Sequence, residues 1–171
     1  MLSVAKTDER VRMQNQLADP GADAPAVVRK CGLDEHGKRR ALQAIATQAS
    51  LMARTEMAMV TVLDEETQWY VARVGLETDQ SPRSQSFCHY TVLRPGEPMI
   101  VSDARQDPRF AQSPLVVAGP RIRFYAGVPL IDTAGYALGA LCVADTHPRV
   151  DFPHTMGLVE LARQAERIIC G

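Results

Sequence analysis

Cys88 and His89 stand side by side in Ser86-Phe-Cys-His-Tyr-Thr-Val92, shortly before Pro95-Gly96. A thiol beside an imidazole is the raw material of nucleophilic catalysis, in which the base takes the thiol proton. Adjacency works against that chemistry. Neighbours on a helix point about 100° apart, so His89 does not face the thiol it follows. A reactive thiol also needs a cation or a helix N-terminus to lower its pKa. The plainer reading of Cys88 is a small buried hydrophobe, with ligand contact second and redox chemistry third.

Asp103 and Asp107 flank a short loop, and paired carboxylates can do acid–base work or hold a cation. Capping and an ion pair to Arg109 account for them with less. Arg123 opens the run Arg123-Phe-Tyr-Ala-Gly127, where an inward guanidinium would suit an anionic ligand, and Arg109 could join it. The structural alternative for both arginines is pairing with Asp103, Asp107 or Asp145. Phe124, Tyr125 and Trp69 supply much of an aromatic content of only 5%, so they belong to the core or to a pocket wall. Gly127 and Gly139 inside strand-like runs suggest bulges or a close backbone approach. His89, His147 and His154 share no metal-like spacing, and no P-loop, GxSxG, HExxH or GxGxxG motif is present.

The totals narrow the classes. A chain of 171 residues with 46% hydrophobic residues can bury a real core in one domain. A net charge of -1 gives no footprint for nucleic acid, and Lys38-Arg39-Arg40 is the sole basic run, read as a solvated helix face. No stretch approaches the ~20 apolar residues of a membrane span and no signal-peptide core is seen, which makes the cytosol the default location. Cys31, Cys88, Cys142 and Cys170 are widely spaced, with no CxxC, and are expected as thiols in a reducing compartment.

These residues must be positioned by a recognisable order of elements. Residues 1–35 read as a largely irregular extension, with a short helix conceivable before Pro20, and 36–171 as the domain proper. Leu42, Ile45, Ala46, Ala49, Met52 and Ala53 fall at helical offsets over 36–54. Runs 58–63 and 68–74 around a polar connection predict a hairpin. Phe87 to Leu93 reads as a short helix and 99–102 as a brief strand. Asp107-Pro108 carries a helix-start signature, with Pro114 as its stop. Runs 122–130 and 136–145, joined by Asp132-Thr-Ala-Gly135, predict a second hairpin. In its second strand Leu138, Ala140 and Cys142 share one face and Leu141 and Val143 the other, so both faces should be covered. Leu158, Leu161, Ala162, Ala165, Ile168 and Ile169 mark a final helix from about Pro153. Sequential hairpins predict an α+β fold with an antiparallel sheet of five to six strands.

Seven ordered blocks also carry a resemblance. They are Gln68-Trp-Tyr-Val-Ala-Arg-Val-Gly-Leu76, Ser86-Phe-Cys-His89, Val101-Ser-Asp-Ala104, Asp107-Pro-Arg-Phe110, Pro114-Leu-Val116, Arg123-Phe-Tyr-Ala-Gly-Val-Pro-Leu130 and Leu138-Gly-Ala-Leu-Cys-Val-Ala-Asp145. Over roughly residues 37–169 the chain resembles a GAF domain of the kind found in bacterial sensor histidine kinases, diguanylate cyclases and cyclic-di-GMP phosphodiesterases. The resemblance implies a PAS-related central sheet, terminal helices on one face, a pocket under short helices and loops on the other, and homodimers. It implies a non-catalytic sensory module for an unidentified small molecule, with Phe87, Cys88, Asp103, Arg109, Phe110, Arg123 and Tyr125 as candidate ligand-binding residues. A signalling-enzyme partner follows, whether attached in a longer chain or separate; no cofactor is specified.

Two alternatives stay open. Free-methionine-sulfoxide reductases are GAF enzymes with pocket cysteines, one at roughly the place of Cys88. Their further cysteines would fall around Arg121 to Val128, where this chain has none. The other is a ligand-free dimerisation module whose own side chains fill the pocket. The Asn-Lys…Phe…Asp-Glu signature of cyclic-nucleotide GAF domains is absent, which argues against cGMP and cAMP.

Overall fold

The computed structural model describes residues 26–33 and 35–171. The element order is α1 (Ala26–Lys30), α2 (His36–Ala53), β1 (Met57–Leu63), β2 (Thr67–Val74), β3 (Gln80–Pro82), α3 (Phe87–Val92), β4 (Met99–Val101), α4 (Pro114–Val117), β5 (Phe124–Ile131), β6 (Ala137–Asp145) and α5 (Thr155–Cys170). Short 3-10 turns at Arg83–Gln85 and Ala104–Gln106 lead into the loops.

Six strands form one sheet in the order β3-β2-β1-β6-β5-β4, and every neighbouring pair is antiparallel. The fold is α+β. Both hairpin turns are built by an aspartate. Asp64 Oδ1 accepts from the amides of Glu66 and Thr67 at 3.0 and 2.7 Å. Asp132 Oδ1 accepts from Ala134 and Tyr136, both at 2.9 Å, while Gly135 takes the left-handed backbone the turn requires.

The sheet separates two cores. On one face α2 and α5 lay Leu42, Ile45, Ala49, Leu158, Leu161 and Ile169 against Val60, Val62, Phe124, Val128, Leu141 and Val143. On the other, α3 and the loops cover Met57, Met59, Tyr70, Tyr125, Ala140 and Cys142. Strand alternation sends successive residues to opposite cores, which is why β1 is buried along its whole length.

Several expectations need correction. Leu138 does not share a face with Ala140 and Cys142; it packs in the helix-side core. Leu130 pairs with Gly139 but Ile131 with Ala137, so Leu138 is an extra residue that reverses the alternation. No helix starts at Asp107. The Phe110 and Ala111 amides both reach the Asp107 carbonyl, giving a single turn. Ser113 then caps α4 by accepting from Leu115, with Pro114 in its first turn, so Pro114 begins a helix instead of ending one. β3 lies in a stretch read as irregular; three residues ending in proline at a sheet edge leave no alternation to detect. The expected strand over 122–130 begins two residues later, at Phe124.

Within the 1–35 extension, α1 is helical, and Val28 and Leu33 are buried in the helix-side core. Five residues are too few to display a helical period. The short helix considered before Pro20 lies outside the described residues. Among the described residues, no helix is long and apolar enough to cross a membrane.

Candidate functional site

The loop-side core is not solid. A cavity of about 150 Å³ lies between β1, β2, β5 and the covering segments. Met59, Leu76, Phe87, Leu115, Ile122 and Tyr125 give it an apolar lining, and Gln68, Tyr70 and Ser81 give it one polar end. The lining also includes the exposed residues Thr78 and Gly119, so the cavity reaches the surface between two loops.

Its inner wall is aromatic. The Phe87 ring stacks on Phe110 at 4.1 Å and on Tyr125 at 5.0 Å, with Tyr90 edge-on to Phe110 at 5.1 Å. Ser86 places this wall by capping α3: its hydroxyl accepts from the His89 amide at 3.0 Å. Gly127 makes room for it, since a Cβ there would collide with the Tyr125 phenol.

Behind the wall, Cys88 Sγ lies 3.6 Å from Cys142 Sγ and 3.3 Å from Tyr125 Oη, which is 2.8 Å from Thr91 Oγ1. The hydrogen bond from Cys142, with one from Tyr125, draws the Cys88 thiol down, and burial pushes Cys142 and Tyr125 well up. His89 plays no part. It accepts from Arg83 Nε at 3.1 Å, and burial and then the Arg83 charge lower its pKa.

At the polar end, Gln68 Nε2 donates to Tyr70 Oη at 2.9 Å and to Ser81 Oγ at 3.2 Å, and those two hydroxyls are 3.0 Å apart. Gln68 is 3% exposed, and its Oε1 has no hydrogen-bond partner among the described residues. Burial raises the Tyr70 pKa, so its hydroxyl keeps its proton.

Of the seven candidate residues, the structure brings Phe87, Cys88 and Tyr125 to the cavity and sets Phe110 directly behind Phe87. The other three lie elsewhere. Asp103 and Asp107 line a separate, open hollow with Ile100, Ser102 and Gln106. Each aspartate is held by the arginine two residues on: Arg105 meets Asp103, and Arg109 meets Asp107, both at 2.7 Å. Arg109 also lies 4.9 Å from the Phe110 ring centre and 5.6 Å from that of Tyr90. Arg123 donates to the carbonyls of Val116 and Ile122, satisfying a loop instead of reaching a carboxylate or the cavity. Asp145 pairs with Arg149 at 2.8 Å. Glu56, Asp145 and His147 do bring ligand-type atoms together, but Arg149 and Thr146 already occupy the two carboxylates.

Trp69 and Phe124 belong to the helix-side core, and Gly139 is forced by the Thr61 backbone, which a Cβ would overlap. Cys142 and Gln68 were missed as site residues. The one signal for Cys142 was its parity with Ala140 in a two-sided strand. For Gln68 it was an amide two residues before Tyr70, and therefore on the same face.

An antiparallel sheet sealed by terminal helices on one face and hollowed beneath short helices on the other is an α+β fold. The chain belongs to the GAF domain family, whose profile matches residues 38–169. It is 44% identical over 124 residues to the cyclic di-GMP phosphodiesterase PA2567 of Pseudomonas aeruginosa, a match covering 72% of this chain. The match spans only 21% of that protein's length. Among solved structures, the fold resembles the GAF domain of a phosphoenolpyruvate-protein phosphotransferase from Coxiella burnetii, with TM-score 0.65 and 16% identity, covering 84% of this chain and 90% of that one. It also resembles the free methionine-R-sulfoxide reductase of Neisseria meningitidis, solved with its substrate, with TM-score 0.64 and 18% identity, covering 84% and 83%.

Proposed function

We propose that this chain is a non-catalytic sensory domain that binds a small molecule in the cavity beneath α3 and passes occupancy to a signalling enzyme. The observation that carries this reading is the cavity itself: a surface-connected apolar hollow with one polar end, on the face of the sheet that α2 and α5 leave open. Apolar pockets with a few convergent polar groups are the usual form of small-molecule sites. The likeness to a cyclic di-GMP phosphodiesterase supports an output in bacterial signalling. Leu51 and Met156, on the terminal helices, are 73% and 77% exposed, which supports a homodimer through that face.

Native mass spectrometry of protein purified without denaturation tests the binding role. A retained small molecule that is lost when Leu115→Trp fills the cavity is the expected result. Protein that carries nothing, and whose Tm responds to no member of a metabolite library, would remove the reading.

A second reading is favoured by the sulfur pair. In thiol reduction of a sulfoxide, one cysteine takes the oxygen as a sulfenic acid, and a second thiol then forms a disulfide and releases water. Cys142 could serve as the second thiol, although it does not lie in the Arg121 to Val128 region. Against it, both sulfurs are buried, and among the described residues no cation lies beside them to hold a thiolate. Consumption of reductant with free methionine sulfoxide, by wild type and by Cys88→Ser, decides between the two: no turnover is expected in either.

A further inference from the structure

Resting on the sensory reading above, we infer that the cavity takes a neutral, compact, largely apolar molecule bearing one hydrogen-bond donor, which it presents to Gln68 Oε1. Four observations define this ligand class.

The first is charge. Among the described residues, no aspartate, glutamate, lysine, arginine or histidine lines the cavity, and the three charged candidates from the sequence, Asp103, Arg109 and Arg123, are engaged elsewhere. A charged ligand would lose its water here without gaining a counter-charge. The second is size. An apolar cavity of about 150 Å³ holds a benzene-sized molecule. A nucleotide is charged, and most of it would lie outside a hollow of this size.

The third is the wall. Phe110 and Tyr125 stack on the Phe87 ring and hold it in place, so a guest meets a pre-set apolar wall of ring edges. The fourth sets polarity. Gln68 is buried, and its amide nitrogen is used twice, by Tyr70 and Ser81, while its carbonyl oxygen is used by nothing. Buried amide oxygens in folded proteins are rarely left without a donor. The Tyr70 and Ser81 hydroxyls both meet the amide through its nitrogen, and neither makes a hydrogen bond to Oε1. An N–H or O–H on the guest supplies what the protein withholds.

Four probes read this out by ligand-observed NMR and by thermal shift on the full chain: phenol, its donor-free analogue toluene, the acceptor-only benzonitrile, and cyclic GMP. Phenol is expected to bind about tenfold more tightly than toluene, the scale of one buried hydrogen bond. In Gln68→Leu the order should reverse. Should that variant fold poorly, the side-chain amide signals of Gln68 in the wild type provide the same reading. They should move on titration with phenol and stay put with toluene.

Preference for benzonitrile would overturn the donor assignment, and equal binding of phenol and toluene would overturn the role of Gln68. Binding of cyclic GMP with none of phenol would overturn the neutral class while leaving a sensory domain in place. If no probe binds, the inference falls, and the mass-spectrometric result then decides the sensory reading on its own.

Discussion

The Cys88 and Cys142 sulfurs lie 3.6 Å apart although the residues are 54 positions apart in the chain. α3 drops Cys88 onto the middle of β6, where Cys142 pairs with Gly127 of β5. Both thiols are buried, and Cys170 is exposed at the end of α5. Thiol-specific labelling of the native protein is therefore expected to modify Cys170 first, with Cys88 and Cys142 protected until the fold opens. Rapid native labelling of Cys88 would contradict the packing described.

The room made by glycines is specific. Gly127→Ala drives a methyl group into the Tyr125 phenol, and Gly139→Ala into the Thr61 backbone. A side chain yields more readily than a strand. We expect Gly127→Ala to cost about 1–3 kcal/mol and to weaken cavity binding, and Gly139→Ala to cost more. Urea unfolding of both variants, read as a shift in midpoint at unchanged slope, checks the order.

Acid should unfold the domain partly through Asp145. Burial alone would raise its pKa, but hydrogen bonds from Arg149 and His147 outweigh that and hold it below the ordinary carboxylate value. A carboxyl lowered by folding contributes stability that is fully present above its unfolded value, about 3.9, and is lost as pH falls through the folded value. Asp145→Asn should thus cost about 2 kcal/mol at neutral pH and flatten the acid limb below about pH 4. Denaturation midpoints measured from pH 7 to pH 2 give both numbers; parallel curves for the two proteins would refute this.

In the homodimer proposed above, charge placed on α2 and α5 should separate the subunits. Leu51→Glu with Met156→Glu is expected to leave the fold intact, since both side chains are exposed, and to convert dimer to monomer in light scattering. A wild type that is already monomeric at tens of micromolar would remove the dimer.

Much of the architecture was legible because strand alternation and turn chemistry are local. The Asp64 and Asp132 turns and the stripes of α2 and α5 follow from residues a few positions apart. What escaped was non-local or too short. A one-residue bulge at Leu138 reverses a face without changing composition, and β3 has no pattern of its own. The aromatic and cysteine part of the site lay within blocks already singled out. The charged part did not join it, because Asp103 and Asp107 close rings with arginines two residues away, and sequence spacing cannot tell such a ring from an open pair of ligands. Gln68 was hidden for the opposite reason: a lone amide in a strand looks like a surface residue until its neighbours bury it.

The sheet is one residue thick, and along β5 Tyr125 faces the cavity while Phe124 faces the helices. Arg149 lies over the Phe124 ring at 5.3 Å and grips the carbonyls of Ala53 and Arg54 at the end of α2. The wall of the cavity and the anchor at the end of α2 therefore share one strand, with a single peptide bond between the residue that serves each.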